Sequence, residues 1–368
     1  MKSSSGDHYL ALDHVRALAA FLVFTWHFTH AGHGFPVPFE YTPAFFPLAL
    51  LNEGHTGVAL FMTLSGYLFA KLLDGKTISY RWFLWNRALR LLPLLAIVIV
   101  VVGVQQVQAG VDPWHYVLSI AKGVVLPTLP NGGWSITVET HYYLLLPVLL
   151  YMFRRSLWLP LLALVGFVAV RYALFLERGE IQTLAYWTII GRADQFVLGM
   201  VMFHLRERMA GRHWLAAGVG VAFCAVFWTF DSLGGFYRIP SYPSPSLLWV
   251  VLPTIEGLAY ATLIAWYDGS FSPARSGMSR FIGIIGTYSY SIYLLHFFIV
   301  FRAAEFVHHT IMDLSSFPVA VAWAGVAFLG MVPLGYLSYR FIEAPFLRLR
   351  KTYTRPLKAA AAAPVPAT

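Results

Sequence analysis

The chain has 368 residues, of which 58% are hydrophobic, 17% aromatic and only 12% charged, with a mean hydropathy of +0.64. A soluble domain is about a quarter charged, so this composition excludes a disordered chain and a water-exposed globule alike. The net charge of +9 excludes little by itself, but the basic residues form no basic face or run; they sit at the ends of apolar segments, which points to membrane topology rather than nucleic acid. A lone Cys224 in VAFCAVFW excludes an internal disulfide framework and reads as a packing residue.

A membrane-crossing helix needs about 20 mostly apolar residues. In chain order the candidates are 12–32, 54–74, 87–107, 134–153, 156–176, 184–205, 213–231, 248–267, 281–302 and 317–340. The polar start MKSSSGDHYLALDHVR lacks a signal-peptide pattern, so the first span is expected to stay in the mature protein. The stretch 114–130 is apolar but short, holds Lys122 and ends on prolines, and reads as an interfacial or re-entrant piece. The expected fold class is therefore an all-α integral membrane protein of about ten transmembrane helices with both termini cytoplasmic. In that orientation 20 of the 26 Lys and Arg fall on the inner side, as the positive-inside rule requires. A transmembrane domain is expected over 1–350, followed by a disordered cytoplasmic tail over 351–368, in a multi-pass protein of the cell inner (cytoplasmic) membrane.

Polar side chains within spans are costly in lipid and mark candidate sites. The first span is the richest. Arg16 and His27 are eleven residues apart, which at 100° per residue falls about 20° from three full turns, so both lie on one helix face roughly 16 Å apart. His30 continues that face, and Asp13 stands in pairing position to Arg16. His27 reads either as a hydrogen-bonded core histidine or as a general base, for which a neutral-pH imidazole is suited. His27, His30 and His33 are spaced i, i+3, i+6 with the last among glycines, a poor pattern for a metal, and no metal is assigned. Ser65-Gly66 permits close helix approach.

The stretch LDHVRALAAFLVFTWHF resembles the opening of the acyltransferase family 3 membrane proteins, whose first helix carries an Arg-x10-His motif. GHTGVALFMTLSGYLFA, RWFLWNRALRLLP, WSITVETHYYLLLP, GRADQFVLGM, YSYSIYLLH and RFIEAPF resemble later family segments in the family's order, over about residues 10–347. The resemblance implies an enzyme that moves an acyl group, usually acetyl, from cytoplasmic acyl-CoA to a hydroxyl of a carbohydrate or glycan, lipid-linked or free. No permanently bound cofactor is implied. The partners are acyl-CoA, the acceptor and the bilayer, and not nucleic acid.

On that resemblance His27 stands at the essential histidine, as general base or transient acyl carrier. Arg87 and Arg90 share a helix face and, with Arg81 and Arg16, are candidates for the CoA phosphates; the alternative is that they only mark topology. Glu139 is a candidate to orient His27 and stabilise its imidazolium, or to bind acceptor; the alternative is a structural pairing with His141 or an arginine. Trp134, Ser135, His30 and Asp194 are candidate acceptor contacts, with Arg192 an alternative partner for Asp194. His296 reads as a packed residue, and Glu343 as a partner of Arg340 or Arg348. The chain reads as the stand-alone form, without a fused extracytoplasmic hydrolase-like domain, so the Pro- and Phe-rich loop 33–53 is expected to cover the acceptor site. Two other functions stay open: a transporter or exporter of a lipid-linked saccharide, and acylation of a small molecule such as a macrolide.

Overall fold

The computed structural model describes residues 9–31 and 33–356. Eleven helices of ten or more residues make up the described chain: α1 (Leu10–His30), α2 (Gly57–Leu73), α3 (Tyr80–Gln108), α4 (Pro113–Lys122), α5 (Trp134–Arg155), α6 (Trp158–Arg178), α7 (Ile189–His204), α8 (His213–Ser232), α9 (Leu248–Ser270), α10 (Gly277–Leu295) and α11 (Phe317–Ser338). Eight described helices are long and apolar enough to cross a membrane, and the protein is an all-α, multi-pass membrane protein.

Every one of the ten expected spans is helical. The two that are not both long and apolar enough, the polar α1 and the short α7, are among the most enclosed. α1 carries Asp13, Arg16, His27 and His30, and fifteen of its side chains are buried, so its polar groups face protein rather than lipid. α7 has 16 residues, about 24 Å of helix, and is buried along nearly its whole length. By contrast α6 buries only Pro160, Leu164 and Arg171, as befits a helix bathed in acyl chains. α4 is only ten residues long, about 15 Å, too short to cross; Asp112 caps it, its Oδ2 accepting from the His115 N–H at 2.8 Å.

Close backbone approach sets the centre of the bundle. A Cβ on Gly66 of α2 would collide with the Phe196 carbonyl of α7, and one on Gly199 of α7 with the Thr63 carbonyl of α2. The two helices can therefore meet only with bare backbone at both points, and the Ser65-Gly66 pair does permit the expected approach.

Two expected spans are broken. Segment 184–205 splits into a short helix Gln182–Trp187 and α7, because Thr188 is extended and caps α7, its Oγ1 accepting from the Ile190 N–H at 3.2 Å. Segment 281–302 breaks after Leu295 into the 3₁₀ turn His296–Phe298 and a helix Val300–Phe306. The break places His296 deep in the protein, where irregular backbone occurs only against protein or a cavity.

Of the segment expected to be disordered from 351, residues 351–356 are described. Thr354–Pro356 (β2) pairs antiparallel with Lys76–Ile78 (β1), Thr77 opposite Arg355. Residues 357–368 lie outside the described residues.

Candidate active site: two cavities that share a wall

Two cavities lie along α1. The first, about 230 Å³, is lined among others by Asp13, Arg16, Ser65, Arg87, Arg90, Ser135, Glu139, Tyr143 and Arg350. The second, about 330 Å³, is lined by Trp26, His27, His30, His55, Trp134, Tyr186, Trp187, Tyr237, Phe297 and Phe301, among others. Val58 and Tyr293 line both, so α1 presents Arg16 to one cavity and His27 to the other across a shared wall. The one-face relation expected from the eleven-residue spacing accounts for this placement.

The arginine cavity brings four guanidiniums together from three places in the chain, against two lining carboxylates, Asp13 and Glu139. Arg16 pairs with Asp13. Arg90 pairs with Glu343, which also accepts from the Ser291 hydroxyl. That corrects the expected pairing of Glu343 with Arg340 or Arg348. Arg87 lies over the Phe69 and Phe83 rings, 5.2 and 5.7 Å from their centroids. Its buried Nε has no hydrogen-bond partner among the described residues, and the same holds for Arg350. Arg81 lies outside this cavity: it is exposed at the start of α3, its guanidinium 5.2 Å from the Trp82 ring.

Glu139 is the main displacement from expectation. It faces the arginine cavity and accepts a hydrogen bond from the Tyr143 hydroxyl. No hydrogen bond is described between it and His27. The group beside His27 is instead His296: its Nε2 lies 3.3 Å from His27 Nδ1. The tautomers follow from the carbonyls. Val23 O is 2.8 Å from His27 Nδ1, and a carbonyl only accepts, so Nδ1 carries the proton. Tyr293 O is 2.6 Å from His296 Nδ1, which fixes that proton in the same way. In the neutral rings His296 Nε2 is then a lone pair facing the His27 Nδ1–H, and His27 Nε2 is left as the basic nitrogen.

The histidine cavity is aromatic. Phe297 and Phe301 hold the His27 ring with centroids 4.7 and 5.9 Å away, and Trp134 meets Trp187 edge-on at 4.7 Å. Trp26 stacks on Tyr237. His30 lines the cavity but is tied down, its ring nitrogens 2.8 Å from Val37 O and 3.1 Å from Asn52 O. From the loop expected to cover the site, Phe39 reaches the cavity and packs on His30 and Tyr237.

The acceptor candidates separate. Trp134 lies in the histidine cavity, whereas Ser135 lines the arginine cavity and donates to the Gly132 carbonyl. Asp194 lines neither cavity: fully buried, it accepts from Arg171 Nη2 at 2.8 Å and from the Thr254 hydroxyl. Arg192, its expected alternative partner, turns to Glu256 at 3.4 Å and lies over the Tyr186 ring. This is the ordinary fate of ions buried within a bundle, paired across helices.

His55 and Glu53 were missed. His55 lines the cavity, and its Nε2 lies 2.9 Å from Glu53 Oε2. The signal was present as Glu53-Gly54-His55 at the mouth of a span. Among the described residues no group of three or more His, Cys, Asp or Glu converges for a metal.

Residues 9–340 match the acyltransferase 3 family, described as an acyltransferase domain. The chain belongs to this family. Among acyltransferase relatives, a Staphylococcus aureus (strain COL) protein whose name proposes an O-acetyltransferase is 24% identical, with 80% of this chain and 53% of the relative covered. The exopolysaccharide production protein ExoZ of Rhizobium meliloti is 26% identical, covering 80% of this chain and 90% of ExoZ. The peptidoglycan O-acetyltransferase OatA of Listeria monocytogenes is 24% identical, covering 91% of this chain and 55% of OatA. The chain thus spans about half the length of the first of these. No solved structure matches it.

Proposed function

We propose that this member of the acyltransferase 3 family is a membrane O-acyltransferase that takes an acyl group, acetyl in the simplest case, from acyl-CoA and places it on a glycan hydroxyl. The observation that carries the reading is the pair of cavities sharing Val58 and Tyr293, one cationic and one aromatic with a basic histidine. The phosphates of acyl-CoA suit the arginine cavity, since guanidinium contacts to phosphate are short and often bidentate. A sugar suits a cavity walled by Trp134, Trp187 and Tyr237, which offers flat apolar surface with polar edges. The names of ExoZ and OatA refer to exopolysaccharide and peptidoglycan, and both support a glycan acceptor.

The thioester then lies at the shared wall. His27 Nε2 takes the proton of the acceptor hydroxyl as its oxygen attacks the thioester carbonyl. The tetrahedral intermediate collapses with loss of the thiolate, which takes the proton held by the His27 imidazolium, leaving an ester, free CoA and a neutral His27. As His27 becomes imidazolium, its Nδ1–H faces two acceptors, Val23 O and His296 Nε2, which stabilise the charge. His296 is thus the positioning residue, in the role that the sequence suggested for Glu139. Glu139 offsets part of the positive charge of the arginines that line the cavity with it. The arginine cavity faces the cytoplasm, where acyl-CoA resides, and both termini lie on that side of the inner membrane.

Mass spectrometry of surface glycans from cells with and without the protein tests this reading. An acyl ester present only with the protein supports it. Identical glycan masses, with saccharide export altered instead, would show a transporter.

A further inference from the structure

The C-terminal segment lies beyond the residues that match the family, which end at 340, and its position in the fold is specific. The Trp85 indole N–H donates to Leu349 O at 3.3 Å. Asn86 binds Lys351 twice, donating to its carbonyl at 2.7 Å and accepting from its N–H at 3.0 Å. The Ser79 N–H donates to Tyr353 O at 2.7 Å, and the Tyr353 ring is buried against Phe83. β2 then pairs with β1. This strap is fixed at 349, 351, 353 and 354–356, so residue 350 between two anchors has its direction set.

That residue is Arg350, and it points into the arginine cavity. Its surroundings suit an anion. Arg16 and Arg90 each have a carboxylate, whereas Arg350 leaves its buried Nε without a hydrogen-bond partner among the described residues. A buried donor left unpaired costs about 1–3 kcal/mol, and no described residue recovers it. Burial, Arg87 and Arg90 together push the Arg350 guanidinium down to about 10. An anion seated among the three would relieve that repulsion.

Resting on the acyl-CoA reading above, we propose that the strap is part of the donor site, and that Arg350 binds a phosphate of coenzyme A together with Arg87. α3 holds the strap in register through Asn86, next in sequence to Arg87, so one helix turn positions both arginines. A segment outside the matched family region thereby contributes to donor affinity.

The test is the Kd of coenzyme A, and of phosphate-free pantetheine, for the full chain in nanodiscs, with wild type, Arg350→Gln and Arg350→Lys compared. Arg350→Gln should weaken coenzyme A by about tenfold, Arg350→Lys by less, and neither should change the weak pantetheine binding. Unchanged affinity of Arg350→Gln for coenzyme A would overturn the assignment. Equal loss for both ligands would also overturn it, by showing a structural role. If wild type itself does not bind coenzyme A, the acyl-CoA reading fails; if wild type binds and Arg350→Gln binds equally, only the strap assignment fails.

Discussion

At the scale of single residues, the proposed chemistry rests on which nitrogen of His27 is free. Two carbonyls settle it: Val23 O holds Nδ1–H, and Tyr293 O orients His296 so that its lone pair supports the same proton. Replacing His296 with Phe should lower kcat by at least about tenfold, the worth of one lost hydrogen bond to a charged ring, with KM for both substrates little changed. Steady-state kinetics on purified protein reads this split, and a raised KM with intact kcat would mark His296 as a binding residue instead. Arg87→Gln is expected to behave in the opposite way, raising KM for acyl-CoA while sparing kcat. Helix periodicity aligned Arg16 with His27 and Arg87 with Arg90, each pair on its own helix, and the family resemblance attached roles to them. It did not show that His296 faces His27, since 269 residues separate them and the contact depends on a helix break after Leu295. Glu139 and Asp194 were visible as intramembrane acids; Tyr143 meets Glu139 by i, i+4 helix spacing, whereas the Arg171 partner of Asp194 is chosen by packing between helices.

At the scale of elements, α2 and α7 meet through bare backbone at Gly66 and Gly199. Gly66→Val places two methyls and a Cβ against the Phe196 carbonyl and should cost about 1–3 kcal/mol or more by overpacking. It is expected to lower the melting temperature in detergent. Gly166→Ala on α6, where an added Cβ meets nothing within 4 Å, should leave it unchanged or slightly raised. Equal melting curves for the two variants would contradict the close approach. The helices were legible from apolar length, eight of them long and apolar enough to cross a membrane, yet the breaks at Thr188 and His296 were not, because neither follows a glycine or proline signal. The short strand pair between 76–78 and 354–356 was equally hidden: three residues on each side carry no periodic pattern, and Thr77 and its partner Arg355 lie 278 residues apart.

For the whole molecule, the proposed function requires the arginine cavity to face the cytoplasm and the histidine cavity to face the other side, as the charge distribution predicts. With the lone Cys224 replaced by Ser, a cysteine introduced at Thr77, in a strand on the arginine side, should react with a membrane-impermeant maleimide only after permeabilisation. One introduced at the exposed Phe45, in the loop over the histidine cavity, should react in intact cells. The reverse pattern would place the arginine cavity outside, away from cytoplasmic acyl-CoA.

On the proposed function, catalysis rests on His27, which lines the histidine cavity and not the arginine cavity. The most direct measurement is transfer of radiolabelled acetyl from acetyl-CoA to a glycan acceptor by purified wild-type and His27→Ala protein in nanodiscs, with coenzyme A affinity measured on the same samples. The account predicts a loss of about 10²–10⁴-fold in the transfer rate with coenzyme A affinity unchanged, because His27 lies outside the arginine cavity. Full transfer by His27→Ala would contradict it.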